Sequence, residues 1–468
     1  MSKKTFVILV LLVALLAVSV AACGGSKPAP AKEAPAKAEP AKEEPKPTKA
    51  PEPTKAPEPT KAPEPTEAPA AEEVVLTMGS WRSDDVEQMG RILDAFHAEY
   101  PNITVKFDPT NPVEYDVSLR TQLEGGTAPD LFYLRSFSTS RQLYDEGFLE
   151  VVDDVPNLQA NFTEAARAPW ATDDGVSYGV PFMAVSHGIY YNQDLFKELG
   201  LEVPTTWEDL LVVAQKIKDA GYEPFANASG DEWTMAEIVF MNLAPTFIGG
   251  REGRLAYLSG ERCFNDEHAV AAFQAVADIA PFLPEGQEAL NYYDSQQLFL
   301  MGEAAMWMGG SWDIPAFEAE KPDFNWSVFA IPAPKGQDAY VCFHMDAGMG
   351  LNAASKHKEE AKVFLNWLAS NELPPLLANE LPGFFPIQTE APTLDNEHAN
   401  AFLALNQGRG LDVRWAWPVL LDGDPDGYTL MQSGAVNIVN GKMTAQEAAD
   451  ALQEGLAQWF EPAQNCGK

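Results

Sequence analysis

The sequence predicts an α/β protein with material for two domains. Three observations lead there. From about Val74 onward short apolar runs alternate with amphipathic helical patterns, several of those helices carry their own start and stop residues, and the stretch is long and apolar enough to fill two cores.

The elements follow in order. VVLTM (Val74 to Met78) reads as a strand, and Ser83 can cap a helix whose first turn holds Asp84 and Asp85 and whose apolar face is Val86, Met89, Ile92, Leu93 and Phe96. ITVKF (Ile103 to Phe107) is a second strand, VEYDVSLRTQLEGG a helix ending at Gly125, and DLFYL (Asp130 to Leu134) a third strand. This alternation predicts a parallel sheet covered on both faces. TTWEDLLVVAQKIKDAG is a helix with Thr206 as cap and Gly221 as stop. Further helical patterns cover Asp231 to Phe247, Asp266 to Phe282 and Ser355 to Leu368, and a last one opens on a capping box of Thr444 and Glu447. Between them AAMWM (Ala304 to Met308) and WSVFAI (Trp326 to Ile331) read as strands.

The N-terminus is organised differently. Lys3 and Lys4 precede an apolar run from Phe6 to Val20, then Ala21 and Ala22, the layout of a secretory signal over residues 1–22. The run is short for a bilayer, which takes about 20 apolar residues. VAAC, ending at Cys23, resembles the lipobox of bacterial lipoproteins, which implies acylation of Cys23 and a protein anchored to the cell membrane outside the cytoplasm, not spanning it. Residues 23–73 are Pro, Ala, Lys and Glu, with KAPEPT three times between Lys49 and Thr66. That composition cannot build a core and predicts an extended spacer, rising about 3.1 Å per residue.

The net charge of -36 falls on the remainder and argues against phosphate backbones, hence against nucleic acid as a partner. Of four cysteines, Cys263, Cys342 and Cys466 follow the anchor; one disulfide is open to them in any of three pairings, and no zinc spacing occurs.

Three stretches carry a family likeness. GVPFMAVSHGIYYNQDLFKELGLEVPTTWEDL, MGEAAMWMGGSWDIPAF (Met301 to Phe317) and MDAGMGLNAASKHKEEAKVFLNWL (Met345 to Leu368), with APDLFYL before them, resemble sugar-binding proteins of ABC transporters of the maltose-binding class, in that family's order. The resemblance implies a two-lobed periplasmic-binding-protein fold of type II, each lobe a sheet flanked by helices with the ligand cleft between them. It implies a first lobe of 74–184 plus 331–345 and a second of 188–326 plus 350–468. By this mapping a bond from Cys263 to Cys342 would hinder closure. It further implies a monomeric receptor that delivers a carbohydrate to the transmembrane subunits of a permease, with no catalytic step.

A sugar site wants aromatic rings for the flat apolar faces and planar polar groups for the hydroxyls. Trp307, Trp326, Trp367 and Trp459 lie inside apolar patterns and read as core, whereas Trp81, Trp233, Trp312, Trp415 and Trp417 sit at element ends or in loops. Trp312 and Asp313 follow Gly309 and Gly310, whose missing side chains leave room for a ligand. Trp81 and Arg82 follow the first strand and Arg135 the third, at the carboxyl ends where open sheets bind ligands. Asp346 lies at the third crossing and His187 at the first, where a hydrogen-bonded hinge histidine is preferred to a ligand-binding one, and Trp233 and Trp415 are the aromatic candidates of the second lobe. Asp130 reads as a turn-former. Val185 stands where the maltose-binding pattern has an acidic ligand residue, which leaves maltodextrin itself in doubt.

Asp422, Asp424, Asp426 and Gly427 match the front half of a calcium loop. Ser433 replaces its bidentate Glu and Pro425 stiffens it, so an acidic turn capping the next helix is preferred to a Ca2+ site. Two rival classes remain. A secreted glycosidase needs two carboxylates across one bond, and the adjacent pairs Asp84-Asp85, Asp153-Asp154 and Asp173-Asp174 read as solvated turns; a display lipoprotein would use the spacer equally well. The same fold also serves solutes other than sugars.

Overall fold

The computed structural model describes residues 73–390 and 392–467. The signal, Cys23 and the spacer up to residue 72 lie outside them.

Among the described residues nine strands form one sheet, β1 (Val74–Ser80), β2 (Ile103–Pro109), β3 (Leu131–Arg135), β4 (Val180–Asn192), β5 (Glu223–Phe225), β6 (Ala304–Gly310), β7 (Trp326–Phe329), β8 (Tyr340–Leu351) and β9 (Gly410–Asp412), seven of them in the order β2-β1-β3-β8-β4-β6-β5, with β7 beside this path on β4 and β9 on β8. β1 pairs in parallel with β2 and β3, as the βαβ alternation requires. The expectation of a wholly parallel sheet fails at β8, antiparallel to β3, and at β4, antiparallel to β8, β6 and β7, because these strands carry the chain across between two lobes. β4 is the clearest case. Its residues from Val180 to Ser186 pair with β8, and those from His187 to Asn192 pair with β6 and β7. One strand therefore belongs to both lobes.

In the first lobe, the helix Val86–Glu99 buries Met89, Ile92, Leu93 and Phe96, while Val86, expected on that face, is half exposed because a 3-10 turn over Ser83–Asp85 precedes the helix and rotates its start. The helix Lys358–Leu368, assigned from sequence to the second lobe, packs on the first instead: the rings of Phe364 and Trp367 lie 5.0 and 5.3 Å from that of Phe96. Asp130 is a tie within this lobe, accepting from Thr77 N and Oγ1 and from Ser355 Oγ.

The second lobe keeps its local signals. Thr206 caps the helix Trp207–Asp219 through the amide of Asp209, a contact worth about 1 kcal/mol, and Thr444 and Glu447 cap Ala445–Leu456 reciprocally. Asp426 caps Gly427–Val439 by accepting from Thr429, so the acidic loop that holds Asp422 and Asp424 ends in a helix start.

Cys263 bonds Cys466, and Cys342 is free and buried. The sequence mapping puts Cys342 in the first lobe, yet its backbone pairs with Asp412, whose carboxylate holds Arg254 of the second. The disulfide closes a sequence separation of 203 residues within the second lobe. Cys263→Ser with Cys466→Ser is expected to lower stability by about 2–4 kcal/mol, read from a denaturant midpoint; an unchanged midpoint would count against the bridge.

Candidate functional site

Between the lobes lies a cleft of about 380 Å³. The carboxyl ends of strands furnish much of it: Trp81 and Arg82 after β1, Arg135 at the end of β3, Trp312 after β6 and Asp346 within β8. The second lobe adds Trp233 and Glu237 from the approach to and body of a π-helical turn (Met235–Phe240), Tyr292 and Tyr293 at the start of the helix Tyr292–Leu300, and Tyr428 and Gln432 from Gly427–Val439. Arg414 and Trp417, in the loop after β9, complete the floor.

Trp312 is clamped. Its ring occupies the space over Gly310, where a Cβ would stand 1.9 Å from it, and the ring of Trp307 fills the space over Gly309. The room read from that glycine pair is thus taken by the chain's own indoles. Trp312 Nε1 donates to Tyr292 Oη at 2.8 Å, and Tyr292 in turn donates to Asp313 Oδ1, which also accepts from Gln296 Nε2. Asp313 is therefore not in the cleft; it is 3% exposed and fixes Tyr292 from behind. Burial pushes its carboxyl up to about 7, against the lowering effect of the Tyr292 hydrogen bond and the Arg82 charge.

His187 is also behind the wall. It is fully enclosed, with Nδ1 3.2 Å from Cys342 O and its ring edge-on to Trp312 at 5.0 Å. Burial and then the charge of Arg414 hold it well below the usual histidine range, so it is neutral and structural. Trp415, expected to face the ligand, is not in the cleft either. It is 0% exposed and packs among Phe240, Tyr257 and Phe264, while Trp417, two residues on, reaches the cleft.

The remaining candidates line the cleft, each with a partner. Trp81 lies edge-on against Tyr115 and Tyr133, and the Arg135 guanidinium covers its face at 4.2 Å. Arg82 makes a two-pronged pair with Asp85; burial works against its charge, but the carboxylate more than offsets this and its pKa stays raised. Trp233 leans on Tyr292 at 5.0 Å. Asp346 is 3.6 Å from Arg414, and burial raises its pKa although Arg414 opposes the rise. The guanidiniums and indoles alternate: Arg135 lies 6.0 Å from Trp417, Arg414 5.8 Å from Trp417 and 5.5 Å from Trp312.

Sequence reasoning missed Glu237, Tyr292, Tyr293, Arg414, Tyr428 and Gln432 as cleft residues and did not commit to Trp417. Tyr292 had a signal: Asn291 and Asp294 form a capping box, which marks a helix start.

A cleft of aromatic walls and planar polar groups, closed by two crossing strands, suits a solute receptor. The model of the bacterial extracellular solute-binding protein family matches residues 82–373, more than half of the chain. The chain belongs to this family. Among relatives of this solute-binding protein are the multiple sugar-binding protein of Streptococcus mutans, 26% identical over 60% of this chain and 67% of that one, and the maltodextrin-binding protein MdxE of Bacillus subtilis, 26% identical over 69% and 79%. Solved structures agree in fold. The bacterial solute receptor AcbH matches with a TM-score of 0.72 at 20% identity, over 83% of this chain and 99% of that one. The SBP RafE in complex with raffinose matches at 0.68 and 24%, over 84% and 100%.

Asp313 gives the solute-binding protein a testable pH dependence. Its folded pKa of about 7 lies above the unfolded value of 3.8, so its neutral form favours folding fully below pH 3.8 and that contribution is lost as pH rises through 7. The stability of Asp313→Asn relative to wild type should therefore rise between pH 4 and 7 and level off above. A difference that stays flat in thermal melts across this range would refute the assignment.

Proposed function

We propose that this chain is the extracytoplasmic substrate-binding component of an ABC importer that captures a sugar, an oligosaccharide or glycoside, and delivers it to a membrane permease. The observation that carries this reading is the cleft itself, in which Trp312, Trp233 and Tyr293 offer ring faces and edges while Asp346, Glu237 and Arg135 offer planar polar groups. Sugar rings present apolar faces ringed by hydroxyls, and this combination meets both. The sugar-binding relatives support the same class.

The working motion is closure about β4 and β8. The first lobe brings Arg82 and Arg135, the second brings Trp233 and Trp312, and the ligand is held when both sets touch it. Acylation at Cys23 would keep the receptor beside its permease while the spacer lets it reach outward, and it would act as a monomer. The cleft carboxylates hold hydroxyls in this reading and catalyse nothing; the relatives it matches are binding proteins.

A thermal-shift screen of mono- and oligosaccharides, with amino acids and polyamines as controls, tests the proposal. A ligand at 100 times its dissociation constant adds about 2.7 kcal/mol to stability. A saccharide is expected to raise the melting temperature, and a response confined to the controls would overturn the sugar assignment. Trp312→Ala should weaken the saccharide at least about tenfold by loss of a stacking face. Gly310→Ala should weaken it too while every aromatic ring is kept, because the new Cβ displaces the Trp312 ring; unaltered affinity in both variants would remove Trp312 from the site.

A further inference from the structure

The charges in the cleft do not cancel. Three guanidiniums line it, and each already has a carboxylate: Arg82 is held by Asp85, Arg135 lies 3.4 Å from Asp116, and Arg414 lies 2.8 Å from Glu237. Asp346 and Asp84 line it as well, so that with Asp116 and Glu237 four carboxylates stand against three guanidiniums. Asp346, with its side chain 10% exposed, approaches Arg414 only at 3.6 Å, the guanidinium already taken by Glu237. Asp84 receives a single long contact, 3.4 Å from Tyr293 Oη.

Near Asp346 the floor also holds donors without partners. Trp417 Nε1 and Arg414 Nε are buried and unbonded, and Arg414 touches both Asp346 and the Trp417 ring. An ionised carboxylate only accepts hydrogen bonds and an indole N–H only donates them. A hydroxyl can serve either kind of group, an ammonium group serves only the carboxylate, and an acidic group serves only the donors, the indole and the Arg414 Nε–H. An acidic group in the cleft would also face Asp346 and Asp84 as like charges, on a chain of net charge -36.

Building on the sugar reading, we infer that the cleft selects saccharides that carry no acidic group, neutral or amino-bearing, and excludes uronates, acidic nine-carbon sugars and sugar phosphates. Asp346 and Asp84 are the residues that set this selectivity, Asp346 on the floor and Asp84 at the rim facing Tyr293.

The test uses the full chain held in detergent and a saccharide array of neutral, amino and acidic oligosaccharides, followed by titration of the tightest binder against its counterpart oxidised to a uronic acid. The tightest binder is expected among the neutral and amino sugars, with the uronic form weaker by at least about tenfold. Asp84 is exposed, so Asp84→Asn leaves folding intact and should narrow that gap; Asp346→Asn should narrow it further. An acidic saccharide as the tightest binder, or a gap unchanged in both variants, would overturn the inference while leaving the sugar reading in place. Binding of a control amino acid or polyamine with no saccharide at all would overturn the sugar reading and this inference with it.

Discussion

The turn of β4 from one ladder to the other, at Ser186 to Gly188, constrains everything around the cleft. Before it the strand is hydrogen-bonded to β8 and after it to β6 and β7, so the two lobes share a covalent strand whose backbone groups are already committed on both sides. The packing there leaves no slack. A Cβ on Gly188 would stand 2.6 Å from Val328 and 2.9 Å from Leu405, and the amide of Ser186 donates to Ser311 Oγ, which in turn donates to the carbonyl of Gly383. Ser311 is the residue before Trp312. The principal aromatic wall of the cleft is thus attached directly to the pivot.

From that wall the floor continues as alternating plates, Trp312, Arg414, Trp417, Arg135 and Trp81, which run from the end of β6 to the end of β1. Each cation–π contact is weak, about 0.5–1 kcal/mol when exposed and about 2 kcal/mol when desolvated. Their value lies in order more than in strength. Guanidinium planes lying over indole faces and tied to carboxylates hold their donors in fixed directions before a ligand arrives, which reduces what binding must spend on ordering side chains.

Much of this was legible in the sequence wherever the signal is local. Thr206 and Gly221 bracket a helix because one side chain satisfies an amide and the other residue tolerates a positive φ, and neither depends on distant chain. Trp81, Arg82, Arg135 and Trp312 could be placed because they follow strands, and strand ends face the cleft. Trp415 could not be told from Trp417, since an irregular loop has no period to say which indole turns inward. Glu237 sits in a π-helical turn whose register a count of 3.6 residues misses. Arg414 looks like any surface arginine until the fold brings Glu237 and Asp346 to it. The glycines before Trp312 look like empty space in the sequence; they lack side chains because neighbouring rings fill that space.

The cysteines carry a practical consequence. Cys263 and Cys466 are consumed by each other, and Cys342 lies buried with burial pushing its thiol up to about 12, so at neutral pH it is neither reached by solvent nor present as a nucleophilic thiolate. Among the described residues the native surface therefore offers no thiol to an alkylating dye. A cysteine introduced on the exterior of each lobe can be labelled in a chain that begins at Val74, and the distance between the two dyes then reports opening and closing one molecule at a time.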